Sequence, residues 1–143
     1  RATIYSSDFT FNNFFIGLAL QGKDISVFGK GGQNRNVLFV DDAVSAIINA
    51  ASSKKSLGEV FFAVGDHHYS VAEIAAATVN NIGSGGVRYI DWPKGKEDTD
   101  VGDAVISNAK IKNVLGWRPE IGLVEGLKKT GDYFRPRLSH YLR

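Results

Sequence analysis

The chain has 143 residues, is 43% apolar and 22% charged, and carries a formal net charge of +2, so it is long enough for one domain with its own core and too short for two. It has no cysteine, which removes disulfides, thiolate metal sites and a cysteine nucleophile together. Its cations are scattered apart from Arg135, Arg137 and Arg143, so no basic stripe suits nucleic acid, and no apolar run reaches the roughly 18 residues of a membrane span.

In chain order, Phe11, Phe14, Phe15 and Leu18 recur at helical spacing. They predict a helix over 9–20, capped by Asp8 or Thr10, ended at Gly22, with its aromatic stripe in the core. Ile25 to Phe28 and Val37 to Val40 read as short strands. Asp41 or Asp42 is expected to cap a helix whose apolar face is Val44, Ile47, Ile48 and Ala51. After the polar loop Ser52 to Ser56, the continuous apolar run Val60 to Val64 predicts a strand buried on both faces. Ser70 and Glu73 form a capping box for a helix to about Asn80, and Val87 to Ile90 is a strand. The polar segment Asp91 to Asp103 has no periodicity and predicts an exposed, mobile loop. Two helices finish the chain: one from Ser107 or Asn108 to Leu115, stopped by Gly116, and one from Leu123 to Phe134, stopped by Pro136. Alternating strands and helices predict an α/β or α+β arrangement.

The most informative stretch is Ile25 to Asp42, ISVFGKGGQNRNVLFVDD. A hairpin can close with two residues, yet here a longer glycine-rich loop sets Arg35 just beyond it. Arg grips phosphate bidentately and stays charged, although a surface arginine beside a hairpin would look the same. The loop Gly29 to Gly32 leads into a strand, whereas a phosphate-cradling loop must open a helix. His67 and His68 are adjacent without a third ligand at metal spacing. The carboxylate pairs Asp41/Asp42 and Asp98/Asp100 invite acid/base chemistry, but Asp41/Asp42 is better explained as a cap, and no nucleophile elbow supports a hydrolase.

The same stretch resembles the C-terminal signature of extended short-chain dehydrogenases/reductases, the NAD(P)-dependent nucleotide-sugar epimerase/dehydratase family. The family wording is close to "ALxGKxIxVYGxGxQxRDFxYVDD". Here it runs from Ala19-Leu20 through Gly22-Lys23, Ile25 and Val27-Phe28-Gly29 to Gln33, Arg35 and Val40-Asp41-Asp42. Gly58-Glu59-Val60-Phe61 to Gly65 looks like "GExFNVG" and Ser70-Val71-Ala72-Glu73-Ile74-Ala75 like "SVxELA". Leu115-Gly116-Trp117-Arg118-Pro119 looks like "LGWxP", and Gly126-Leu127 to Thr130 like "GLxxT". The family's cofactor turn G-x-x-G-x-x-G and its Tyr-x-x-x-Lys pair have no counterpart, and Arg1 to Tyr5 resembles the mid-chain "RxxNVYGP".

The resemblance implies the C-terminal part of such an enzyme. That is a partial Rossmann sheet plus a small α/β substrate-binding lobe, one region over 1–143 with the N-terminal dinucleotide-binding domain absent. It implies a nucleotide-diphosphate sugar as partner, with no nucleic acid and no membrane, and a homo-oligomer or the missing N-terminal half as the protein partner. It implies NAD or NADP in the intact parent, none bound by this region alone, no catalysis by it alone, and a cytoplasmic location. Arg35 would contact the substrate diphosphate. The backbone at Ser26 and Phe28 would read a uracil or thymine edge, and Asn12 would stand near the sugar nucleotide. The family's "RPGD", whose arginine is a second diphosphate ligand, is replaced by Trp92-Pro93-Lys94-Gly95-Lys96-Glu97-Asp98, so Lys94 or Lys96 would supply that charge. Two other readings stay open: a related reductase of a non-nucleotide substrate, and a non-catalytic binding or assembly module.

Overall fold

The computed structural model describes residues 4–5 and 10–141. Helix α1 (Phe11–Leu20) leads through a turn at Gly22 to strand β1 (Ile25–Phe28), and a glycine-rich turn then delivers the chain to β2 (Asn34–Asn36). Helix α2 (Val40–Ser52), β3 (His68–Ser70), α3 (Val71–Ile82) and β4 (Val87–Ile90) follow. The chain ends with α4 (Ala109–Leu115), α5 (Leu123–Phe134) and the single turn α6 (Leu138–Tyr141). Strands β1 and β4 pair in parallel from Ile25 opposite Val87 to Phe28 opposite Ile90. Strands β2 and β3 pair antiparallel, with Arg35 opposite Tyr69.

Alternation decides what β1 buries. Ile25 and Val27 face a cluster with Phe15, Ile74 and Ala75, while Ser26 and Phe28 stay half-buried on the other side. Each large aliphatic side chain removed from water in this way contributes about 2 kcal/mol. Helix α3 starts as its sequence implies. The Ser70 hydroxyl accepts from the Glu73 amide, and the Glu73 carboxylate accepts from the Ser70 amide at 2.7 Å. It runs to Ile82, two residues beyond the expected Asn80, and stops at Gly83 in the left-handed conformation. A second cluster joins α1, α3 and α5 through Ile16, Ile82, Leu127 and Phe134, and a third gathers Ala46, Ile111 and Trp117.

Four expectations need correction. The strand anticipated at Val37 to Val40 lies earlier, at Asn34–Asn36, and Val40 already opens α2, because ladder pairing with β3 and not apolar content selects the strand. Asp41 and Asp42 do not cap α2. Its N-cap position is Phe39, and both aspartates lie inside the first turn. Thr10 occupies the N-cap position of α1 but makes no side-chain capping bond, and Asp8 lies outside the described residues. The run Val60 to Val64 is not buried on both faces: Val60 is 74% and Phe62 61% exposed, while Phe61 and Ala63 pack beside Trp117. Among the described residues no strand pairs with it.

Candidate functional site

The site is assembled where β1, the glycine-rich turn, β2 and the segment after β4 meet. They enclose a cavity of about 330 Å³ whose walls include Phe11, Phe14, Phe28 and Trp92, a size suited to a small molecule. The aromatic stripe of α1 therefore forms a wall as well as core. Phe28 and Trp92 lie with ring centroids 5.4 Å apart, tilted by 42°. Trp92 can sit there because Gly29 has no side chain: a Cβ on Gly29 would come within 2.7 Å of the indole nitrogen. The positive φ of Gly29 (57°) also suits only glycine without strain.

Arg35 stands in the middle of β2, its side chain 17% exposed, at the polar end of this cavity. Nη1 donates to the Asn34 carbonyl at 2.8 Å and to the Gly102 carbonyl, and Nη2 donates to Asp100 Oδ1 at 2.9 Å. The other oxygen of Asp100 accepts from the Gly102 amide at 3.0 Å. Asp103 accepts from the Asn34 amide at 2.7 Å, and the Ala104 amide donates back to the Asn34 carbonyl. The segment expected to be a free loop is thus exposed but tied to β2.

Ser26, Phe28, Arg35 and Lys96 converge on this one cavity. Lys94 is exposed and is not among its lining residues. Asn12 faces a separate hollow of about 120 Å³ beside Leu123 and Thr130, where its buried side-chain oxygen has no hydrogen-bond partner among the described residues. Trp92 was visible only as part of the stretch replacing "RPGD". Asp100 was visible only as a carboxylate paired in sequence with Asp98, and nothing local marks it as the partner of an arginine 65 residues away. His68 Nε2 accepts the Ile106 amide, and among the described residues no three His, Asp or Glu side chains gather to hold a metal.

No protein-family model matches the chain. It is 33% identical over 131 residues to UDP-glucuronic acid decarboxylase 1 of Xenopus tropicalis, covering 88% of this chain and 29% of that protein. Against UDP-glucose 4-epimerase of Mycolicibacterium smegmatis the identity is 29% over 116 residues, covering 81% and 36%. The crystal structure of UDP-glucose 4-epimerase with UDP-glucose from Thermotoga maritima superposes with a TM-score of 0.80 and 30% identity, over 96% of this chain and 43% of that one. Over most of its length the chain is homologous to nucleotide-sugar decarboxylases and epimerases, and its solved neighbours are extended short-chain dehydrogenase/reductase enzymes. Its fold is the C-terminal α/β part of that architecture, and it spans about a third of the length of the curated relatives it matches. A dTDP-glucose 4,6-dehydratase from Bacillus anthracis, solved with NAD, shares the fold at a TM-score of 0.79 and 22% identity.

The glycine-rich turn after β1 is not arranged as a dinucleotide cradle. A pyrophosphate cradle presents backbone N–H groups at a helix N-terminus. Here the glycine-rich turn presents carbonyls to α3 instead: the Val71 amide donates to Gln33 and the Ala72 amide to Gly31. Ser70 and Glu73 satisfy the rest of that helix start, so this turn serves as an internal cap of α3. No helix among the described residues is long and apolar enough to cross a membrane.

Proposed function

We propose that this chain is the nucleotide-diphosphate-sugar binding portion of an NAD(P)-dependent nucleotide-sugar epimerase or dehydratase, with no catalytic activity by itself. One observation carries the reading: a guanidinium lines a cavity walled by aromatic rings and bordered by a strand with half-buried polar and aromatic positions. That pairing of apolar slot and cation suits a base joined to a diphosphate. The base lies against Phe28 and Trp92 and along the backbone at Ser26, and the diphosphate is held by Arg35 with Lys96 as a second cation. The nicotinamide chemistry belongs to a parent's remaining residues. The names of the relatives, which act on UDP-linked and dTDP-linked sugars, support the same class.

Calorimetric titration with UDP-glucose of the wild-type chain and Arg35→Ala tests it. Binding that weakens at least tenfold in the variant is expected, since a charge-assisted bond to phosphate contributes about 1.5–3 kcal/mol. Equal affinity in both would remove Arg35 from the site.

The Arg35–Asp100 pair favours a second reading, in which Arg35 is a structural tie and the parent is a reductase of a non-nucleotide substrate. On that reading the same titration shows no UDP-dependent heat.

A further inference from the structure

Arg35 already holds an anion. Asp100 meets Nη2 through one oxygen only, its second oxygen being turned to the Gly102 amide. Both partners remain partly exposed, at 17% and 22%, so water and a dissolved anion can reach the pair. Every tie described between residues 100–104 and the body runs to Asn34 or Arg35. The one large apolar side chain of that stretch, Val101, is 76% exposed. No buried apolar contact therefore has to break for the stretch to let go.

We propose that Asp100 is a built-in occupant of the anion position on Arg35, which a ligand's phosphate must displace, and that this exchange sets the specificity of the site. The inference rests on the nucleotide-diphosphate reading above and deepens it. A monocarboxylate ligand gains nothing, because it replaces one single-oxygen contact by another. A diphosphate brings more charge and engages the guanidinium fork through two oxygens, and Lys96 at the cavity wall adds to that preference. Asp103 stands in the same stretch as Asp100. Movement of residues 100–104 away from Arg35 therefore also takes like charge away from the incoming phosphate.

The test is titration of the full chain with UDP, comparing wild type, Asp100→Asn and Arg35→Ala. Asparagine keeps the shape and can still accept from the Gly102 amide, but it drops the charge. D100N is expected to bind UDP about fivefold tighter, the exchange value of one partly exposed ion pair, and to bind neutral uridine as wild type does. UDP affinity in D100N that equals or falls below wild type, with R35A still defective, overturns the inference and leaves the diphosphate reading standing. Undiminished binding by R35A overturns the diphosphate reading itself. A second measurement needs no variant: at saturating UDP the amide resonance of Gly102 in the wild-type chain should shift as Asp100 lets go. A Gly102 signal that stays in place while that of Phe28 moves overturns the inference.

Discussion

Asp42 is 4% exposed, and its two carboxylate oxygens accept the amides of Glu120 and Ile121, each at 3.0 Å, across 78 and 79 residues of chain. It fastens the start of α2 to the approach of α5. Ser45, one turn on, accepts the Trp117 indole N–H at 2.8 Å and extends the same seam. Replacement by alanine would leave two amides without an acceptor, so Asp42→Ala should destabilise the chain by about 3 kcal/mol, and Asp42→Asn, which keeps one acceptor, by about half that. Urea unfolding followed by circular dichroism measures both, and a cost near zero for D42A would show that the amides find other acceptors. A local reading of Asp41-Asp42 sees only a helix start, since the partners lie far along the chain. Arg35 was legible from its motif, whereas its bond to Asp100 was not, for the same reason.

Elements whose signals are local were read correctly, and the box Ser70 to Glu73 is the clearest case. The Ser70 amide, and after it the Ser70 hydroxyl, hold Glu73 below the usual carboxylate range. The Lys112 ammonium and then the Asn108 amide do the same for Asp66. A carboxylate whose folded pKa is lowered binds fewer protons in the folded state. Its stabilisation is therefore present above the ordinary range near about 4 and is lost as pH falls through the lowered value. The melting temperature should drop on acidification below about pH 5. The gap between wild type and Glu73→Gln should close over the same interval; a gap that stays constant down to acid pH would mean that the box contributes through shape and not charge. The strands were harder to read. Arg35 sits in a strand of three polar and charged residues, Asn34–Asn36, chosen by its partner β3, while the more apolar Val37 to Phe39 forms none. Pairing is a tertiary property, and hydrophobicity alone does not report it.

At the scale of the whole molecule, apolar surface is unevenly covered. The apolar positions of α2 that periodicity assigns to a core are in contact with solvent: Ile47 is 68% and Ile48 60% exposed, with Val44 at 47%. Leu57, Val60 and Phe62 add further exposed apolar side chains in the next stretch of chain. Exposed apolar side chains in this number favour association, and the chain should self-associate in solution. Ile47→Lys should shift sedimentation towards the monomer while changing stability by less than about 0.5 kcal/mol, as surface substitutions do. An unchanged distribution would place the contact elsewhere. The periodicity identified the apolar face of α2 correctly. Whether that face is covered depends on what lies against it, and no pattern within 40–52 encodes that.

The chain has two tryptophans, and the fold assigns them different surroundings. Trp117 is 4% exposed, hydrogen-bonded and packed in a core cluster, while Trp92 stands over Gly29 in the wall of the cavity. Their fluorescence therefore divides the molecule optically. Emission from Trp117 follows the integrity of the fold, and on the proposed nucleotide-sugar reading quenching of Trp92 by a stacked base would follow occupancy of the cavity. On that reading the native protein carries its own probe of ligand entry and, in the same spectrum, an internal standard for being folded.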